Sequence, residues 1–109
     1  MESMSEPNFP IPPASFDFLV LSLRAQAELQ LGLFQFGQEE GEEKQEPNLP
    51  LARHSIDLLA MLVEKTRGNL SLEEQRMLEN SITELRFRFV QVSDELRQKG
   101  TAASEITSA

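Results

Sequence analysis

The sequence predicts a small all-α domain of three helices, in which the second and third form an antiparallel hairpin. Apolar residues recur at the three- and four-residue spacing of a helix in three separate segments. Gly32 and Gly68 follow the first two segments, at positions where glycine commonly ends a helix. Ser71 and Glu74 form an S-x-x-E capping box before the third segment. These signals place the helices at about residues 15–32, 48–67 and 71–99.

Composition limits the chain to one small domain, which we place at residues 15–99 of the 109. A core of this size buries little apolar area, so we expect a homo-oligomer, a dimer or larger. The chain has no cysteine, which excludes a disulfide framework, a thiolate nucleophile and a cysteine zinc site. It shows neither the run of about 20 apolar residues that spans a bilayer nor a secretory leader, so a cytoplasmic location is expected.

The net charge of −8 is unevenly distributed along the chain. Residues 48–100 carry eight Lys or Arg and eight Asp or Glu, so the predicted hairpin is neutral. The excess acid lies in the remaining segments, and half of it is in the acidic linker predicted at residues 37–47. Nucleic acid is therefore an unlikely partner, because phosphate binding needs a basic surface. The glutamates of the linker do not have the spacing of a calcium-binding loop. We therefore predict a flexible, solvated linker that binds no metal ion.

Residues 1–14 contain four prolines and are predicted to form a disordered arm. Phe9 and Ile11 alternate with these prolines and could dock on a groove, although composition favours the disordered leader. The small, polar residues 100–109 are likewise predicted to be a disordered tail.

The first helix begins at Ser15, a good N-cap, and carries two apolar stripes on nearly opposite sides. One stripe can pack against the hairpin. The other is a candidate interface, plausibly with another protomer; a peripheral membrane helix and an unusually well buried helix are the alternatives. Asp17 and Glu28 argue against a membrane helix, since anionic lipid would repel their carboxylates. The candidate interface on this helix consists of Phe18, Leu21, Ala25 and Leu29.

The second helix begins at Asn48, which can cap, with Pro50 in the first turn. Nearly half of its circumference is apolar. It ends with Lys65 and Arg67 near its negative pole, followed by Gly68.

The third helix carries a heptad seam that suits antiparallel packing against the second. Phe87 and Val90 lie off this seam and form a second candidate interface. Residues 85–89 also alternate apolar and basic side chains, as an edge strand would, but the uninterrupted heptad favours a helix. Glu84 and Arg88 have the spacing of an ion pair along a helix. The seam residues are Leu78, Ile82, Leu85, Phe89, Val92 and Leu96.

Three segments carry a resemblance to a known family: residues 55–62 (SIDLLAML), 64–71 (EKTRGNLS) and 84–90 (ELRFRFV). Together with the first helix, they resemble an uncharacterised bacterial family of short helical proteins, known as domain of unknown function 1844. The resemblance covers about residues 13–92 outside the acidic linker, and its most specific part is the Lys-Thr-x-Gly-Asn-Leu corner. It implies the helical shape and brings no activity, cofactor or partner.

No residues form a recognisable catalytic, cofactor-binding or metal-binding set, so we do not expect an enzyme. His54 is the only histidine and has neither a second histidine nor a nucleophile motif beside it; a surface residue is the favoured interpretation. Lys65, Arg67 and Asn69 form a candidate corner for an anion or an acidic partner, although helix capping already explains the residue types there.

The sequence favours a non-catalytic protein-interaction or oligomerisation module. The alternative is a regulatory adaptor associated with nucleic acid or an acidic partner, through the Lys65 and Arg67 corner and through Arg86 and Arg88.

Overall fold

The computed structural model describes residues 10–33 and 46–107, and in those residues it contains three α-helices and no strand. The helices are α1 (Phe16–Gln30), α2 (Leu49–Lys65) and α3 (Leu72–Thr107). A short connection folds α3 back on α2, and α1 packs against both. The predicted all-α fold with a helical hairpin is confirmed, and residues 85–89 are helical.

Local capping fixes both ends of α1. The Ser15 hydroxyl accepts a hydrogen bond from the Phe18 N–H at 3.1 Å. At the other end, the N–H of Gly32 donates to the Leu29 carbonyl and the N–H of Leu33 to the Glu28 carbonyl, both at 3.0 Å. This pair of bonds is a Schellman motif, which needs a left-handed residue at Gly32, and the φ of Gly32 is +78°.

The start of α2 is tied to the end of α1. The Asn48 side chain caps α2 by accepting from the Leu51 N–H at 3.1 Å, and Pro50 occupies the first turn as predicted. The backbone N–H of Asn48 donates to the carbonyl of Gln30 at 2.7 Å. This bond brings the end of α1 next to the start of α2. Residues 34–45, which include most of the acidic linker predicted at 37–47, lie outside the described part of the chain, as do residues 1–9 and 108–109 of the predicted arm and tail.

The corner between α2 and α3 is built from caps. The N–H of Asn69 donates to the Thr66 carbonyl at 2.9 Å, closing a turn in which Gly68 has a φ of +84°. The predicted capping box is present, with Ser71 N–H to Glu74 Oε1 at 2.9 Å and Glu74 N–H to Ser71 Oγ at 3.1 Å. The cap of α2 is Thr66, so this helix ends two residues before the predicted boundary.

The third helix is longer than the sequence indicated. It was predicted to end at residue 99, but α3 continues through Gly100 to Thr107. A single glycine costs only about 1 kcal/mol in a helix and does not end it unless a left-handed cap forms there. Alanines at positions 102 and 103, which favour a helix, follow after Thr101.

The core lies where the three helices meet. The predicted seam of α3 faces it, except that Leu96 is 37% exposed. Phe89 is half-buried against the same cluster. The buried apolar residues in the described part of the chain are Val20, Ala27, Leu31, Ala52, Ile56, Leu59, Leu78, Ile82, Leu85 and Val92.

Two buried hydroxyls connect α1 to the hairpin. Ser55 of α2 donates to Oε1 of Gln30 at 2.6 Å, and Ser81 of α3 accepts from Nη1 of Arg24 at 3.4 Å. Both serines are fully buried, and each hydroxyl has a partner. Because a buried polar group without a partner is costly, these two bonds favour one position of α1 on the hairpin.

Gly68→Ala is expected to lower the free energy of unfolding by about 1–2 kcal/mol, because a side chain at positive φ is strained. No atom lies within 4 Å of the position that the new Cβ would occupy, so steric clash adds nothing. Urea unfolding followed by circular dichroism measures the change. Gly100→Ala is the matched control, since Gly100 is equally open but lies within a helix. It should leave stability unchanged or raise it by up to about 1 kcal/mol, and an equal loss in both variants would contradict the argument.

Candidate functional site

The outer side of α1 is an exposed apolar surface. Phe18 is 45% exposed, Leu21 51% and Leu29 47%, and Ala25 lies exposed between them. These four predicted interface residues recur every three or four positions, so they form one stripe, and Val20 and Ala27 on the opposite side are fully buried. No charged residue belongs to the stripe. Its composition is that of a contact surface rather than of a solvated helix face.

The apolar surface continues from α1 onto α2. Leu51 lies one turn before Ser55, whose hydroxyl contacts Gln30 of α1, so Leu51 borders α1. Leu58 follows Ser55 by three residues and Met61 follows Leu58 at the same spacing, so this row of side chains turns gradually away from α1 along α2. We call this surface the α1–α2 face. Its exposed large apolar residues are Phe18, Leu19, Leu21, Leu29, Leu33, Leu51 and Met61.

A polar band separates the outer stripe from α3. Arg24 pairs with Glu28 on its own helix, at 3.5 Å, and with Glu84 of α3, while it also donates to Ser81. The sequence predicted a Glu84–Arg88 pair, but the ion pair formed by Glu84 is to Arg24. The reason is tertiary: α1 lies along the side of α3 that carries Glu84. The band therefore anchors α1 to α3.

Phe87 and Val90 lie on the outer side of α3, 62% and 55% exposed, and we call them the α3 patch. A groove of about 480 Å³ runs beside Phe87 between α3 and α1, and its walls include Arg24, Glu28 and Arg88. The patch thus consists of two large side chains with charged neighbours. It is smaller and more polar than the α1–α2 face.

Comparison with protein families accounts for most of this chain. A family model described as Domain of unknown function (DUF1844) matches residues 13–91. The chain belongs to this family. The match includes all of α1 and α2, and α3 as far as residue 91, one position before the buried Val92, and it ends within one residue of the resemblance inferred from the sequence.

The DUF1844 domain has no significant match among the curated proteins or the solved structures that were compared with it. Its family description assigns no activity. The surfaces of the domain are therefore the basis for a functional argument.

The predicted anion corner of the DUF1844 domain has a modest hollow of about 270 Å³, lined in part by Arg67, Gly68 and Glu79. Arg67 donates to Glu64 at 2.8 Å, so one of the two basic groups already has an acidic partner. Lys65 and Asn69 are exposed, and the N–H of Asn69 is used in the turn. The structure brings these residues near one another, at a corner that is held by turn and capping hydrogen bonds.

The remaining polar candidates do not converge on one site. Arg86 lines a hollow toward α2 with Glu64 and Glu79, whereas Arg88 lines the groove toward α1. They therefore do not form a single basic platform for nucleic acid. His54 is exposed on α2, in agreement with its interpretation as a surface residue.

Residues 10–33 and 46–107 contain no group of three or more His, Cys, Asp or Glu side chains that could hold a metal ion. None of the helices in those segments is both long enough and apolar enough to cross a membrane.

Sequence reasoning missed four members of the exposed surface: Leu33, which follows the end of α1, and the three helical residues Leu19, Leu51 and Met61. On a helical wheel, all three border an apolar arc and would pass as core residues. The signal that could have found Leu51 and Met61 is the excess of apolar surface on α2, which is wider than one neighbouring helix can cover.

Proposed function

We propose that this DUF1844 protein is a non-catalytic interaction module that assembles with other protein chains, first of all with copies of itself. The observation that carries the proposal is the uncharged, exposed outer stripe of α1. Monomeric soluble proteins rarely expose contiguous apolar patches larger than a few hundred Å², and larger ones usually mark contact sites. The burial of Val20 and Ala27 on the other side of α1 means that the stripe is surplus to the core.

The adaptor alternative has weaker support. An acidic partner would need unpaired basic groups that converge, yet Arg67 is bonded to Glu64 and Arg86 and Arg88 face different neighbours. The predicted cytoplasmic location and the bacterial source implied by the resemblance stay predictions.

Sedimentation equilibrium of the full chain tests self-association. We expect a mass at or above twice the 12.3 kDa of one chain at high micromolar concentration. The double variant Leu21→Gln, Leu29→Gln should shift the species toward monomer, because both side chains lie on the outer stripe and are about half exposed. Circular dichroism should show an unchanged helical fold, since neither residue belongs to the core.

The control is Leu72→Gln, in a residue that is 60% exposed at the start of α3 and outside the α1–α2 face. It removes the same type of apolar group and should leave the mass unchanged. A wild-type chain that stays monomeric at high micromolar concentration would overturn the proposed self-association.

A further inference from the structure

We infer that the second copy covers the α1–α2 face, with the two α1 helices antiparallel about a two-fold axis that passes beside Ser22 and Ala25. This inference rests on the proposed function and specifies which face joins the copies and how. A closed dimer has an isologous interface, in which the same face serves both protomers and residues at the axis meet their own counterparts.

The available area selects the α1–α2 face over the α3 patch. Taking roughly 200 Å² as the full surface of a large apolar side chain, the seven exposed residues of the face offer about 600 Å². A standard interface buries about 800 Å² on each partner, so a polar rim of modest width completes it. The two residues of the α3 patch offer about 200 Å² on the same basis, which is too little for a stable dimer.

The order of side chains along α1 places the axis. Ser22 and Ala25 are small and lie near the middle of the outer stripe, with the larger Phe18 and Leu29 toward its ends. Small residues let two helix backbones approach closely where they cross. In an antiparallel pair centred there, Phe18 of one protomer packs near the partner's Leu29, and the gaps at both ends of the crossing are filled.

Charge favours the antiparallel over the parallel arrangement. Residues 37–45, which hold four glutamates and one lysine, follow the C-terminal end of α1. A parallel pair would start both acidic segments at the same end of the dimer, where they repel, and the antiparallel pair starts them at opposite ends. The macrodipoles of the two α1 helices favour the same choice, because opposite poles become neighbours.

Single cysteines in the full-length chain test the geometry, since the chain has none of its own. Ala25→Cys places a small thiol beside the proposed axis on an exposed position, so folding should not change. On mild oxidation we expect most of this variant to form a covalent dimer. A disulfide needs Cα atoms about 4.4–6.8 Å apart, which only residues close to a two-fold axis satisfy with their own counterparts.

Thr83→Cys, next to the α3 patch, and Arg53→Cys, on the charged side of α2 opposite Leu51, are the matched controls, and both positions are exposed. They should remain largely monomeric on a denaturing gel after the same oxidation. If sedimentation shows a dimer while Thr83→Cys links and Ala25→Cys does not, the inferred face is wrong and the proposed function stands. If the chain sediments as a monomer and no variant links, the proposed function and the inference fail together. Equal linking of all three variants would indicate random collision and would also overturn the inferred geometry.

Discussion

Leu59→Ala is expected to lower the free energy of unfolding by about 3–5 kcal/mol, the upper part of the range for buried leucines. Leu59 is fully buried at the centre of α2, between α1 and α3. Truncation removes three carbons from a packed site. It leaves a cavity, because the three helices are packed against one another and cannot move together to fill it. A domain of this size has a total stability of only about 4–12 kcal/mol, so the variant should be partly unfolded near 37 °C.

Urea unfolding at one fixed protein concentration measures this effect, since self-association would otherwise add a concentration-dependent contribution. Leu72→Ala is the control for the chemistry of the substitution. Leu72 is 60% exposed, and its truncation should change stability by no more than about 0.5 kcal/mol. Similar losses at both positions would show that Leu59 does not lie in a rigid core.

Gln30→Leu is expected to cost about 1–3 kcal/mol, because it leaves the buried Ser55 hydroxyl without the acceptor it uses at 2.6 Å. The double variant Gln30→Leu, Ser55→Ala should recover most of this loss, since removing both partners together is close to neutral. Chemical unfolding of the four proteins in the cycle gives the coupling energy between the two positions.

Ser55→Ala alone should cost less than Gln30→Leu alone, because Gln30 is only half-buried and its amide can turn toward water. The comparison also tests a specific alternative. A serine within a helix can donate to the carbonyl four residues earlier, here that of Leu51. If it does so in Gln30→Leu, the single variant is near wild type and the polar contact does not position α1.

The three helices and most of their ends were predictable because the signals are local. Ser15, Asn48 and Ser71 each cap the helix that begins next to them. Gly32 and Gly68 adopt the left-handed conformation that commonly follows the end of a helix. The α3 seam was predictable for the same reason, as its spacing requires no knowledge of the partner. The end of α3 was not predictable, since Gly100 is compatible with both a stop and a continued helix.

The candidate surface was only partly predictable. Two apolar stripes on α1 imply two packing partners. The sequence identified one stripe as a candidate interface outside the hairpin, and this stripe consists of Phe18, Leu21, Ala25 and Leu29. The sequence could not assign Leu51 and Met61 to the exposed surface. The apolar arc on α2 is wide, and the sequence does not show which part of it α1 covers. It also paired Glu84 with Arg88, because the competing partner Arg24 is 60 residues away in the chain.

The sequence by itself determined the helices, their caps, the neutral hairpin and the presence of surplus apolar surface. These follow from residue spacing, backbone preferences and charge, which act within a few positions of the chain. The tertiary structure alone decided how α1 lies on the hairpin, through bonds from Gln30 to Ser55 and from Arg24 to Ser81 and Glu84. Those bonds join residues 25 to 60 positions apart, and the exposed composition of the α1–α2 face depends on that placement.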